Sequence, residues 1–172
     1  DDIVEHFIAR VAPLGLKAQV VAYNRELCVA YFDELSRALR DRGLDQRYEI
    51  AVVMTVGTTK DEPREWRERF GLDPASEARV KARFNSSADR LSILVVTAKL
   101  LTGFDAPIEG VIYFDKPLRR HTLFQAICRT NRRFTNPTSG QEKSFGLVVD
   151  YVGLAGPLVA ALRSADPSQR ST

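Results

Sequence analysis

The stretch TLFQAICRTNRRF carries three arginines, Arg129, Arg132 and Arg133, beside an otherwise apolar run. At about 100° per residue of helix, Gln125, Arg129 and Arg132 (i, i+4, i+7) fall in one narrow stripe, and Leu123, Phe124 and Ile127 point the opposite way. A guanidinium is a planar fork suited to bidentate contact with phosphate oxygens. The same spacing also describes a solvated basic face, and the residues by themselves leave both readings open. From Lys116 to Gln141 there are six basic residues and no acidic one, a local field that favours phosphate groups. A second constellation is TAKLLTGFDAP at 97–107. Gly103 there allows a turn or the close approach of a ligand. Asp105 is a lone carboxylate among Phe104, Ala106 and Pro107, which needs a partner or a hydroxyl, or forms an Asx turn at a strand end.

Other chemistries lack their residues. A P-loop needs G-x-x-x-x-G-K-[ST], and the nearest string, VGTTKDEP, has one glycine and the wrong spacing. His6, His121, Cys28 and Cys128 are too scattered for a zinc site, so no metal is expected on this chain. Two separated cysteines in apolar settings, with no secretion signal and no apolar run long enough to span a bilayer, point to a reducing, cytoplasmic setting without membrane contact.

These groups have to be positioned by a scaffold. The chain has 172 residues, 44% hydrophobic and 27% charged, with a net charge of +3, the size and balance of one globular domain. Apolar runs at 16–23, 48–56, 91–97, 110–115 and 144–151 read as strands, and LSILVVT is the clearest central one. Between them, 25–42 has helical spacing after Asn24 as N-cap and before Gly43 as stop. Helices are also expected at about 119–132 and over GPLVAALRSA. Residues 57–90 read as charged and loop-like, with one or two short helices around Trp66 and Val80 and no assignable task. Five strands separated by helices predict a mainly parallel sheet covered on both faces. Ligands of such sheets gather past the carboxyl ends of the strands, which here directs attention to 23–25, 57–60, 97–107 and 116–121.

LLTGFDAP, then YFDKPLRRHTLFQAICRTNR, then GLVVDYVGL, in that order, resemble the second RecA-like motor domain of the R subunit of type I restriction enzymes, which are superfamily 2 helicase-like proteins. Residues 16–40 resemble the first block of that domain, and 57–90 match nothing. The resemblance implies a single RecA-like, three-layer α/β domain over 1–172, carrying motifs IV to VI and cut from a larger multidomain chain. It implies that Gly103 and Asp105 are the motif V pair, with the carboxylate at the nucleotide ribose, and that Gln125 leads motif VI. Arg129 and Arg132 would be the arginine fingers of that motif. Tyr23, Asn24, Arg25 and Thr97 would meet the DNA backbone. The sequence departs from the pattern at Cys128, where many helicases have Gly, at Thr102, and at Ala98 and Lys99, where an acidic residue and Met are expected.

The implied cofactor is ATP, with Mg2+ and the Walker lysine supplied by a first RecA-like domain not contained in this sequence. The implied partners are double-stranded DNA, the first RecA-like and nuclease domains of the same chain, and the methyltransferase and specificity subunits. The expected function is the second motor domain of an ATP-dependent double-stranded DNA translocase, inactive in isolation. Two alternatives are the equivalent domain of another superfamily 2 DNA or RNA helicase and a non-catalytic nucleic-acid-binding module.

Overall fold

Lys17–Ala22 (β1) and Leu91–Val96 (β3) are buried at every position, as near-continuous apolar runs must be when both faces of a sheet are covered. They are two of five parallel strands. The others are Glu49–Val53 (β2), Glu109–Asp115 (β4) and Leu147–Asp150 (β5), and the order across the sheet is β2-β3-β1-β4-β5. The computed structural model describes residues 2–57, 63–97, 99–100, 103–117 and 120–153, less the side chains of 120–123 and 126. The helix expected over 156–165 and the loop residues 58–60 lie outside that set.

Alternation along the strands divides the core in two. Ala18, Val20, Ile93, Val95, Val111 and Tyr113 face one way, and Val21, Leu94, Val96, Ile112 and Phe114 face the other. The first face is covered by helix Asp2–His6 (α1), which the sequence reading did not anticipate, by Arg25–Asp41 (α2) and by the end of Arg64–Phe70 (α3). The second is covered by Pro74–Asn85 (α4) and Arg120–Thr130 (α5). This three-layer arrangement bears out the expected α/β class.

The expected caps hold α2: the Asn24 carboxamide oxygen accepts from the Leu27 amide at 2.8 Å, and Gly43, at φ 64°, donates to the Arg40 carbonyl at 2.8 Å. The charged segment before β3 is more helical than its composition suggested. Its charges pair one turn apart along α3 and α4, as Arg64–Glu68, Arg69–Glu65 and Lys81–Glu77. Among the described residues no helix is long and apolar enough to cross a membrane.

Candidate functional site

Strand β3 ends at the carboxyl edge of the sheet, and β4, parallel to β1, must begin at the amino edge. Between them, the described residues Leu100, Phe104 and Ala106 are buried on the α4/α5 face. Leu100 (φ 69°) and Gly103 (φ 73°) turn the chain in the left-handed region, which is ordinary for glycine and costly for leucine. Asn85, at the end of α4, donates through Nδ2 to the Asp105 carbonyl at 2.8 Å. The same end of α4 meets the start of β1, because Lys17 Nζ donates to the carbonyls of Arg83 (3.2 Å), Ser86 (2.7 Å) and Asp89 (3.1 Å). Asp105 therefore lies toward the amino edge, not past the carboxyl ends where such sites were expected. The cause is topological: β4 starts at the amino edge, and the residues just before it lie there.

Asp105 finds its partner in Arg132, whose Nη1 lies 2.6 Å from Oδ2, with both side chains more than half exposed. Arg129 is half-buried. Its Nη1 donates to the Leu100 carbonyl, and its guanidinium lies 5.8 Å from the centre of the Phe104 ring. Burial pulls the Arg129 pKa down, and the Glu109 carboxylate opposes that most strongly. The single stripe expected for Gln125, Arg129 and Arg132 does not form. Helix α5 stops at Thr130, so Arg132 is placed by the following turn, where its amide donates to the Arg129 carbonyl at 3.3 Å. Phe124, expected on the buried side, is 43% exposed, beside exposed Gln125 and Cys128, while Ile127 and Thr130 face inward. Arg129 sits on the flank between these sectors, which is why its stem is covered and its head reaches a carbonyl. Cys128 is thus not in the apolar setting its neighbours suggested; Cys28 is buried.

The second group of expected residues gathers at the carboxyl edge. Tyr23, Asn24 and Arg25 follow β1, and Thr97 follows its neighbour β3, with Val21 and Val96 in register. Tyr23 is 57% exposed, and Arg25 Nη1 reaches the Thr55 carbonyl at 3.4 Å. The Asn24 oxygen is committed to capping α2. Asp105 and Arg132 thus meet toward the amino edge, Tyr23, Asn24, Arg25 and Thr97 gather at the carboxyl edge, and Gln125 is exposed midway along α5, one turn before Arg129.

Three contributors were not legible in the sequence. Glu109 is 1% exposed, and among the described residues neither carboxylate oxygen has a hydrogen-bond partner; burial pushes its pKa up to about 8, against the pull of Arg129 and Lys143. Lys143 spans to the same place, donating to the carbonyls of Pro107 (2.9 Å) and Glu109 (2.6 Å), and burial brings it down to about 8. Glu77 on α4 binds Lys99 at 2.6 Å, so the lysine that departs from the expected pattern has its own carboxylate. No spacing rule links residues so far apart in the chain. Among the described residues no group of three or more His, Cys, Asp or Glu side chains is placed to hold a metal ion.

Residues 75–153 match the family described as type I restriction enzyme subunit R domain 3. The chain is 36% identical over 162 residues to the type I restriction enzyme HindI endonuclease subunit of Haemophilus influenzae, covering 93% of this chain and 15% of that one. It is 34% identical over 161 residues to the putative MjaIXP endonuclease subunit of Methanocaldococcus jannaschii, covering 94% and 14%. The chain thus spans about one-seventh of the length of these curated relatives. Among solved structures, domain 2 of the DEAD-box helicase Mss116p bound to an RNA duplex superposes with a TM-score of 0.55 at 20% identity, over 95% of this chain and 54% of that one. That likeness is one of fold, a RecA-like helicase C-terminal domain.

Proposed function

Because the chain belongs with the R subunits of type I restriction enzymes, as a helicase-like domain of them, we propose that it is the second motor domain of an ATP-dependent double-stranded DNA translocase. In this reading 1–172 is one domain of a longer chain. A first RecA-like domain and a nuclease domain belong to that chain, and methyltransferase and specificity subunits complete the complex. The observation that carries the reading is the meeting of Gly103, Asp105, Arg129 and Arg132 on one surface, with a solvent-facing guanidinium held only 2.6 Å from a carboxylate.

A surface of this kind fits half of a nucleotide site. Arg132 pairs with an exposed carboxylate, a bond of modest strength, and can exchange it for phosphate oxygens. Asp105, once released, is free to accept from a ribose hydroxyl, and exposed Gln125 lies one turn above Arg129. Arg129 exchanges the Leu100 carbonyl for phosphate in the same closure. ATP, with Mg2+ held by the first domain, supplies the phosphoryl group whose transfer drives the cycle. As negative charge builds on the phosphate, Arg129 and Arg132 meet it from across the domain cleft, and such a finger contributes on the order of 10³–10⁵ in rate. Tyr23, Asn24, Arg25 and Thr97, at the opposite edge, grip the DNA backbone. Backbone contacts carry little sequence information, so the domain moves DNA without choosing its site.

Arg132→Ala in the full-length protein is expected to abolish DNA-stimulated ATPase while DNA binding is largely retained. Steady-state turnover and a filter-binding titration measure the two. Near-normal turnover in that variant removes the arginine-finger assignment.

A further inference from the structure

Glu109 opens β4, paired with Lys17 of β1, at the amino edge of the sheet. Its carboxylate is buried, and among the described residues neither oxygen has a hydrogen-bond partner. A buried carboxylate is costly to keep charged unless an opposite charge stands near it. Lys143 lies close, but its Nζ donates to the carbonyls of Pro107 and Glu109, at 2.9 and 2.6 Å. Arg129 lies close as well, with its Nη1 on the Leu100 carbonyl. The strongest charge favouring ionised Glu109 is Arg129, and the strongest favouring charged Arg129 is Glu109. The other charged side chains of the surrounding elements are matched already. Lys17 is held by three carbonyls around the end of α4, Arg83 by Glu49 and Asp89, and Arg132 by Asp105. Arg129 differs from these in being held by a carbonyl and a ring, and in being a cation that the proposed site requires to move.

We propose that Glu109 is a positioning residue for Arg129: a buried counter-charge that holds the guanidinium inward on the Leu100 carbonyl, and that takes up a proton from solvent when Arg129 leaves for phosphate. The proposal rests on the site reading above and deepens it, by adding a proton to the nucleotide cycle. With Arg129 inward, Glu109 titrates at about 8. When the guanidinium leaves, the strongest charge favouring the carboxylate goes with it, and the proton affinity of Glu109 rises. The proton taken from solvent on departure is given back when Arg129 returns, so the cycle balances. Reciprocity fixes the sign. Above about pH 8 the ionised carboxylate opposes the departure of Arg129 and weakens nucleotide binding. Below it Glu109 is neutral and the hold lapses. Lys143 also titrates at about 8, but it stays in place in both states, so it moves the midpoint and not the sign.

The test uses the full-length protein. Calorimetric titration with Mg2+ and the non-hydrolysable analogue adenylyl imidodiphosphate, in two buffers of different ionisation heat at about pH 8.5, counts the protons bound with nucleotide. Steady-state assays give KM for ATP and kcat from about pH 7 to about pH 9. The parent is expected to take up more protons than Glu109→Gln, which keeps the shape of the side chain and cannot ionise. The KM of the parent is expected to match that of Glu109→Gln at the acid end and to exceed it by roughly 5-fold or more at the alkaline end, with kcat alike in the two. A merely structural role would change stability and leave the proton count alone. Equal proton counts, or parallel KM profiles, overturn the proposal. Glu109→Leu repeats the comparison if Glu109→Gln does not fold. Arg129→Ala run alongside separates the two ideas. If it loses turnover while Glu109→Gln matches the parent in proton count and KM profile, the positioning role is wrong and the site reading stands. If it keeps full turnover, the site reading falls and the role of Glu109 with it.

Discussion

Glu109 is buried at the cost of its charge. Among the described residues its buried oxygens have no hydrogen-bond partner, and the fields of Arg129 and Lys143 favour its charge. Its ordinary pKa of 4.5 rises to about 8 on folding. A raised carboxyl pKa contributes stability that is fully present below the unfolded value and is lost as pH climbs through the folded one. Lys17 and Lys143 shift the other way, from 10.5 to about 8, so their contributions are present above the unfolded value and lost on falling through 8. Among the described groups with a resolved shift, the interval from about pH 5 to 7.5 therefore falls to Glu109. Over it the protein is expected to lose thermal stability. Glu109→Gln should flatten that slope, so that its midpoint gains on the parent as pH rises; parallel melting curves at the two pH values exclude it. None of this was readable from the sequence, because EGVIYFD looks like any strand that starts with an exposed acid. Burial at that position comes from α5 and the residues before β5, both distant in the chain.

At the level of elements, the strands were the most legible part. Four of the expected runs hold an observed strand and the fifth, 110–115, starts one residue inside β4, since apolar β-branched residues have few other ways to be buried on two faces. The junction between α5 and β5 was not. Gly146 packs there so closely that a Cβ would stand 2.3 Å from the Thr130 carbonyl oxygen. Gly146→Ala must push backbone against backbone, and is expected to cost about 1–3 kcal/mol, in the range of overpacked sites. Denaturant unfolding measures it; an unchanged midpoint would show that the junction yields freely. Helix α4 shows the opposite failure of reading. Its sequence, PASEARVKARFN, reads as part of a charged, loop-like stretch with a short helix around Val80, yet it forms twelve residues of helix and buries Phe84. Its link to Lys99 and Asp105 exists only in three dimensions, where opposite charges meet across separate elements.

For the whole molecule, the order β2-β3-β1-β4-β5 puts β1 at the centre and makes the chain after β3 cross to the far side of β1. That crossing separates Asp105 and Arg132 from Tyr23, Asn24, Arg25 and Thr97. On the proposed reading one edge meets DNA and the other offers one wall of a nucleotide site, with no P-loop in the sequence to supply the second. The isolated 172-residue chain is accordingly expected neither to hold ATP tightly nor to hydrolyse it. Equilibrium dialysis with radiolabelled ATP and a phosphate-release assay test this, and robust turnover by the purified chain would refute the half-site.

The amino-acid sequence alone determined the α/β class, the five strands, the caps of α2 and, through LLTGFDAP with DKPL and RTNR, the resemblance to the family. These are local properties: propensity, periodicity and short motifs act over a few residues. Only the tertiary structure decided that Asp105 pairs with Arg132, that Arg129 turns inward to a carbonyl, and that the Asp105–Arg132 pair lies toward the amino edge while Tyr23, Asn24, Arg25 and Thr97 gather at the carboxyl edge. Those outcomes depend on where a helix stops and on how the strands are ordered. Both are settled by packing between parts of the chain that carry no record of one another in their spacing.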